Sequence, residues 1–130
     1  MEPPSHADPW VERGREAAPL LEHVSAVVVV GADPDRAARV ALGIARAECG
    51  RRRVALGDLV GDLVPLYETA GGADAFGLSD CFREGLPLSD VARPSPECET
   101  LFILPAGTPP VATYDILAHE RWPRLIRGFA

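Results

Sequence analysis

The sequence predicts an α/β fold of three layers, in which a short parallel sheet of about three strands is flanked by helices on both faces. Residues 24–30 form a β-branched run that is continuous rather than alternating, which is typical of a strand buried on both faces. Two more short apolar runs follow at 53–57 and 100–105. Segments with helical spacing of their apolar residues lie between these runs, as expected when helices cover a parallel sheet.

The first half of the chain predicts a βαβ unit. Residues 1–23 are expected to form an N-terminal leader and a short helix, and residues 24–130 the α/β domain. After the strand at 24–30, Asp33 or Asp35 is a candidate N-cap for a helix over 36–49, which Gly50 ends. The strand at 53–57 completes the unit, whose crossover is expected to be right-handed.

The second half predicts four helices around the third strand. One is expected within 59–70, two short ones at 79–83 and 89–92, and a final one over 114–126. Pro123 either kinks this last helix or starts a separate turn. The first strand is expected in the middle of the sheet, and the residues expected to be most deeply buried are Val28 and Val29, with Leu56, Ile103 and Ile44 near them.

Composition limits the kind of protein this is. A chain of 130 residues has the size of one domain, and its hydrophobic fraction of 47% is enough to build a core. The net charge is −6 with both signs interspersed, which argues against a nucleic-acid surface and a polybasic membrane patch. No apolar run approaches the length of a membrane span, so no direct membrane insertion is expected.

The three cysteines, Cys49, Cys81 and Cys98, are widely spaced and suggest neither a disulfide framework nor a zinc site. Reduced thiols in the cytoplasm are therefore expected. All 13 basic residues are Arg, a bias typical of GC-rich bacterial genomes. Any mechanism that requires a lysine ammonium group is excluded, because the planar guanidinium of Arg does not replace it.

A phosphate-binding site is expected where the first strand meets the next helix. A P-loop there needs the pattern G-x-x-x-x-G-K-[ST], whose glycines, lysine and hydroxyl hold the phosphates and Mg²⁺. Only the first glycine of that pattern is present, and two carboxylates lie where a polyanion would bind. We therefore interpret the segment as a vestigial loop formed by Gly31, Asp33, Asp35, Arg36, Ala37, Ala38 and Arg39.

The sequence supports a dinucleotide-binding site even less than it supports a P-loop. No G-x-G-x-x-G follows Val30, and Gly31 is explained by a tight turn leaving a strand. Asp58 ends the second strand, where an acid could hold a ribose. A lone acid at that position is more often the cap of a loop or helix.

Several stretches of the second half carry a resemblance to a known family. They are Gly77-Leu-Ser-Asp80, Arg83-Glu-Gly-Leu-Pro-Leu88 with Ser89-Asp-Val-Ala-Arg93, Leu101-Phe-Ile-Leu-Pro-Ala-Gly107, and Pro109-Pro110 with Asp115-Ile-Leu-Ala-His-Glu-Arg-Trp122. In this order and spacing they resemble the ATPase domain of the bacterial tyrosine kinases (BY-kinases) of capsule and exopolysaccharide synthesis. Upstream, residues 40–45 and 52–56 are placed like the helix after the P-loop and the following strand in MinD/ParA-type ATPases. The resemblance implies a partial P-loop-NTPase-like fold.

The chain departs from that family at the positions that handle nucleotide. The lysine and hydroxyl of the family's P-loop are replaced by Ala37 and Ala38. Of the family's second acidic motif, Asp-x-Asp, only the first acid remains as Asp58. The C-terminal tyrosine cluster has no counterpart, because Tyr67 and Tyr114 are the only tyrosines and both fall in segments predicted to be structured.

The sequence thus leads to the hypothesis of a non-catalytic P-loop ATPase-like module, without cofactor or metal, that has an interaction or regulatory role in capsular or exopolysaccharide synthesis. Its expected partner is a polysaccharide polymerase or co-polymerase, a related kinase, or a second copy bound through an open sheet edge. The expected location is the cytoplasm, or the inner face of the membrane through a partner. Two alternatives stay open: a nucleotide-binding enzyme that uses Arg36 and Arg39 with ATP and Mg²⁺, and a decayed or truncated gene product.

Overall fold

The computed structural model describes residues 9–61, 63, 76–108 and 111–129. These residues contain six helices and three strands. In chain order they are α1 (Pro9–Leu21), α2 (Pro34–Glu48), β1 (Val54–Gly57), α3 (Leu78–Glu84), α4 (Leu88–Val91), β2 (Arg93–Ser95), β3 (Cys98–Leu104), α5 (Thr113–Leu117) and α6 (Trp122–Phe129).

The sheet is mixed, and the prediction of a parallel sheet is wrong in this respect. Its strand order is β1-β3-β2. β1 runs parallel to β3, with Val54 opposite Leu101, whereas β2 runs antiparallel to β3, with Arg93 opposite Ile103. β2 is only three residues long and contains Pro94, which an edge strand tolerates because one side of its backbone needs no partner. The central strand is therefore β3.

The predicted first strand is also wrong, and with it the predicted βαβ unit. Residues 26–31 have no regular secondary structure, and Val28, which we expected in the core, is 57% exposed. Val30 is 85% exposed, and Val29 is only partly buried. β-branched residues favour extended backbone, but a strand also needs a hydrogen-bonded partner and same-face neighbours, so propensity alone does not produce one.

Helices cover both faces of the sheet, as the sequence predicts. On one face, α2 places Ala38, Leu42 and Ala45 against Leu101 and Ile103 of β3. On the other face, α3 and α4 form a second cluster of Leu78, Cys81, Val91 and Leu104. Ile103 is fully buried as expected, and Leu56 packs, partly buried, against the first cluster.

The helix predictions agree with the structure except at the C-terminus. The helices expected at 36–49, 79–83 and 89–92 are confirmed as α2, α3 and α4. The single helix predicted over 114–126 is instead two, α5 and α6, and Pro123 lies in the first turn of α6, where its missing N–H costs no helical bond. The helix predicted within 59–70 falls largely outside the described residues.

α1 and α2 cross with their backbones in contact at two glycines. A Cβ on Gly43 would lie 2.2 Å from the carbonyl oxygen of Trp10, and one on Gly14 would lie 2.4 Å from the carbonyl oxygen of Gly43. Both distances are far shorter than a carbon–oxygen contact allows. α1 can therefore pack this closely against α2 only because Gly14 and Gly43 have no side chains.

Arg52 fastens the end of α1 to the end of α2. Its guanidinium donates hydrogen bonds to the carbonyls of Leu21 at 3.2 Å, Glu22 at 3.4 Å and Val24 at 3.2 Å. Its Nε also lies 3.3 Å from Oε1 of the buried Glu48. One side chain therefore satisfies carbonyls at the end of α1 and neutralises a buried carboxylate.

We predict that Gly43→Ala destabilises the protein by forcing α1 away from α2. Overpacking costs about 1–3 kcal/mol, and Ala recovers about 1 kcal/mol of helix propensity, so a net loss of up to about 2 kcal/mol is expected. The measurement is the urea midpoint of unfolding by circular dichroism. Gly50→Ala is the matched control, because a Cβ there meets no atom within 4 Å. Equal midpoints for the two variants would contradict the close crossing.

Candidate functional site

The loop in which the sequence predicts a degenerate phosphate site ends in a capped helix. Asp33 is the N-cap of α2, and its Oδ1 accepts hydrogen bonds from the backbone amides of Asp35 at 3.1 Å and Arg36 at 3.4 Å. Amides at a helix N-terminus are the groups that bind anions in proteins. The chain's own carboxylate therefore occupies amides to which a phosphate would otherwise bind.

Arg39 and Ala38 of this loop also contact the rest of the protein, whereas the side chain of Arg36 is exposed. Nε of Arg39 pairs with Oδ2 of Asp35 at 3.1 Å on the surface of α2. Ala38, at the position of the missing hydroxyl, is 3% exposed and belongs to the core beneath α2. A Cβ on Gly31 would meet no atom closer than 3.5 Å, so this position does not require glycine.

Asp58 caps the loop that follows β1. It is fully buried, and its carboxylate accepts hydrogen bonds from the amides of Val60 at 2.8 Å, Gly61 at 2.7 Å and Leu63 at 3.3 Å. Its own amide donates to the carbonyl of Leu104 at 3.0 Å. The sequence allows Asp58 to be either a ribose-binding acid or the cap of a loop or helix. The geometry is that of a loop cap.

Two of the motifs that carry the family resemblance meet at one place, residues 77–80 and 104–108, which we call the motif junction. The amide of Leu78 donates to the carbonyl of Pro105, and that of Ser79 to the carbonyl of Ala106, both at 2.8 Å. The hydroxyl of Ser79 donates to the carbonyl of Thr108 at 2.9 Å. The N-terminus of α3 is thereby hydrogen-bonded to the turn that follows the central strand.

A buried carboxylate lies at the centre of the motif junction. Oδ2 of Asp80 accepts hydrogen bonds from the amide of Gly77 at 2.9 Å and the amide of Thr108 at 3.0 Å. Nη2 of Arg83 lies 3.8 Å from its other oxygen. Burial alone would raise the pKa of Asp80, but these backbone hydrogen bonds, the Thr108 side chain and Arg83 together lower it below its usual value of 3.8.

Both sides of the junction require glycine. A Cβ on Gly77 would lie 2.1 Å from the carbonyl oxygen of Pro105. Gly107 has a φ of +94°, which residues with a side chain rarely adopt, and a Cβ there would lie 2.4 Å from Oδ2 of Asp80. The Gly and Asp of the first motif and the Gly of the second are thus parts of one contact.

The C-terminal motif joins the same assembly at the opposite end of α3. The guanidinium of Arg121 donates to the carbonyls of Cys81 and Gly85, the latter at 3.2 Å, and so caps the end of α3. The ring of Phe82 packs against those of His119 and Trp122, each at a centroid distance of 5.0 Å. Three of the four resemblance motifs therefore meet at α3, which sequence spacing did not predict. The spacing Gly77-x-x-Asp80 was a usable signal, because it forms half of a capping box.

A cavity of about 640 Å³ lies away from this junction. Its wall is formed by residues 21–27 and 29, by α2, by β1, and by Leu88, Leu125 and Ile126. The wall is largely apolar, and its buried acid, Glu48, is already paired with Arg51 and Arg52. The cavity thus offers apolar volume beside the exposed valines of the segment that we expected to be a strand.

Two features are missing from the residues that the structure describes. No group of three or more His, Cys, Asp and Glu side chains is arranged to hold a metal ion. No helix combines the length and the apolar character that crossing a bilayer requires.

We predict that Asp80→Asn removes a pH-dependent part of the stability. Because the pKa of Asp80 is lower in the folded state, its stabilisation is fully present above the unfolded pKa and is lost as the pH falls through the folded value. The difference in unfolding free energy between wild type and Asp80→Asn should therefore shrink below about pH 4. Asp90→Asn, which removes an exposed acid of α4, is the control for the change of charge.

Asp80→Ala is expected to be the more damaging variant at neutral pH. It leaves the amide of the buried Gly77 without an acceptor, which costs about 1–3 kcal/mol, and the amide of the exposed Thr108 must bind water instead. Denaturant unfolding at pH 7 measures this loss. An Ala variant as stable as the Asn variant would contradict the role of these two hydrogen bonds.

A scan of protein-family models, a search of curated proteins and a search of solved structures each found no match to this chain.

Proposed function

We propose that this chain is a non-catalytic, P-loop ATPase-like module that regulates capsular or exopolysaccharide synthesis through contacts with another protein. The observation that carries the non-catalytic part is the hydrogen bonding of Asp33 to the first amides of α2. In a nucleotide-binding loop, those amides are free to bind a phosphate.

Electrostatics support the same proposal. A triphosphate would have to displace the carboxylate of Asp33 and then lie close to that of Asp35. Two like charges at 4 Å repel each other by about 4 kcal/mol at the effective dielectric constant of a protein surface. Arg39 offsets this only in part, because its guanidinium is already paired with Asp35. Ala38 provides no group that could bind the triphosphate, since its side chain is a buried methyl group.

The assignment to polysaccharide synthesis is supported by the resemblance of the second half of the chain to BY-kinases. The motifs on which that resemblance depends pack against one another around α3 and Asp80. In an eroded enzyme that still has a binding role, scaffold contacts are retained while the residues of the reaction are lost. The expected partner is a polymerase or co-polymerase, a related kinase, or a second copy of the chain.

An exposed apolar surface supports a role in protein binding. The valines at 27, 28 and 30 are each at least half exposed. Val27 lines the same cavity as β1, a strand that is paired on one side only within the described residues. Exposed apolar side chains and an open strand edge both favour association with another protein.

We predict that the purified chain shows no magnesium-dependent binding of ATP in calorimetric titrations up to about 1 mM, the upper end of ordinary enzyme affinities. The physical reason is the occupied helix N-terminus. Micromolar, magnesium-dependent binding would contradict the proposal. If that binding were then abolished in the double variant Arg36→Ala, Arg39→Ala, with the fold intact, the chain would be a nucleotide-binding enzyme with an unconventional loop.

We further predict that deleting the gene changes the amount or length of the surface polysaccharide in the bacterium that encodes it. The wild-type gene and the Arg36→Ala, Arg39→Ala double variant should restore the polymer equally, because neither arginine takes part in a reaction. Polymer measured by gel filtration that is unchanged by the deletion would contradict the pathway assignment.

A further inference from the structure

The end of α2 and the beginning of β3 are held together by a charged clamp. Arg46, in the last turn of α2, binds Glu97 through two hydrogen bonds, Nε to Oε1 at 2.8 Å and Nη2 to Oε2 at 2.9 Å. A paired contact of this kind fixes orientation as well as distance. It holds residue 97, which directly precedes β3, against the helix that ends at Glu48.

Two cysteines lie directly beside this clamp. Cys49 follows α2 and is buried, whereas Cys98 begins β3 and is partly exposed. The two residues pack together in the cluster beneath α2. The thiol of Cys49 donates to the carbonyl of Arg46 at 3.3 Å, so it lies against the helix turn that carries the clamp. The hydroxyl of Thr100 donates to the carbonyl of Cys49 and lies 3.3 Å from Sγ of Cys98.

The two thiols have different acidities. Burial, and then the neighbouring Cys98, raise the pKa of Cys49 from 9.0 to about 11. Hydrogen bonds, first from Cys49 and then from Thr100, hold the pKa of Cys98 below its usual value of 9.0. Cys98 is therefore the accessible thiol that ionises first, and Cys49 is the protected thiol next to it.

We propose that Cys49 and Cys98 form a reversible intramolecular disulfide that joins the end of α2 to the beginning of β3, with Arg46 and Glu97 as positioning residues. The oxidant is a low-molecular-weight disulfide, of which glutathione disulfide is the test reagent. This inference is independent of the function proposed above. Disulfides of cytoplasmic proteins are commonly transient and redox-sensing, so a reversible bond fits the expected location.

The reaction has two exchange steps. The thiolate of Cys98 attacks one sulfur of glutathione disulfide, which forms a mixed disulfide and releases one glutathione thiolate. Cys49 then loses its proton to solvent, and its sulfur attacks Sγ of Cys98 and releases the second glutathione. The protein loses two electrons, and glutathione disulfide gains them. Once Cys98 is bound in the mixed disulfide, its sulfur carries no negative charge. Cys98 therefore no longer opposes the ionisation of Cys49.

Cys81 serves as the internal reference. It is fully buried in the cluster around α3 on the opposite face of the sheet. Burial raises its pKa, which disfavours the reactive thiolate. It should remain a free thiol throughout.

The test is to incubate the reduced full chain with glutathione disulfide and count free thiols after denaturation. We expect the count to fall from three to one, with peptide mass mapping placing the bond between Cys49 and Cys98. The oxidised chain should unfold at a temperature higher by roughly 5–15 °C, and dithiothreitol should restore the original value. A stable mixed disulfide on Cys98, or a disulfide between two chains, would overturn the proposal.

Two sets of variants separate the steps. Cys49→Ser should stop at one glutathione bound to Cys98, whereas Cys98→Ser should bind none, and a glutathione found on Cys49 instead would reverse the assigned roles. Arg46→Gln should slow release of the second glutathione by about tenfold or more, because the two sulfurs lose their alignment. Arg15→Gln breaks an exposed ion pair on α1, far from the two cysteines in the sequence, and should leave that rate unchanged. Equal rates for the two variants would exclude the clamp from the reaction.

Discussion

The carboxylate of Asp80 is the contact on which the arrangement of the second half depends. It connects the first amide of the α3 turn with an amide beyond the central strand, and it does so in a site that admits no Cβ at either glycine. α3 in turn supplies one of the two apolar clusters of the sheet and the carbonyls that Arg121 caps. Loss of the Asp80 contact would therefore loosen one whole layer of the fold.

Asp33, Asp58 and Asp80 perform the same task in three different loops. Each carboxylate accepts hydrogen bonds from backbone amides at the start of a helix or loop. In an enzyme that handles phosphate, acids and amides at strand ends bind metal ions and anions from solution. Here those groups bind each other, and this internal satisfaction is the physical basis on which we propose a non-catalytic role.

Local patterns in the sequence predicted the helices well and the sheet only in part. α2 was predictable because Asp33, Pro34 and the apolar spacing all agree, and β1 and β3 were predictable as short apolar runs. The strand predicted from the valine run at 24–30 does not form. Strand formation depends on a neighbouring strand edge, which no local pattern encodes. The same limit applies to the candidate sites: the Cys49–Cys98 pair and the meeting of Gly77 with Gly107 join residues far apart in the chain, so only the tertiary structure reveals them.

Arg52 has a consequence for the order in which the N-terminal half assembles. α1 has no basic residue in its last turn, and carbonyls at its C-terminal end accept hydrogen bonds from a guanidinium about 30 residues later in the chain. The two N-terminal helices therefore do not form a self-contained hairpin. The end of α1 acquires these partners only after the turn between α2 and β1 has formed, so we expect α2 and that turn to become ordered before α1 docks.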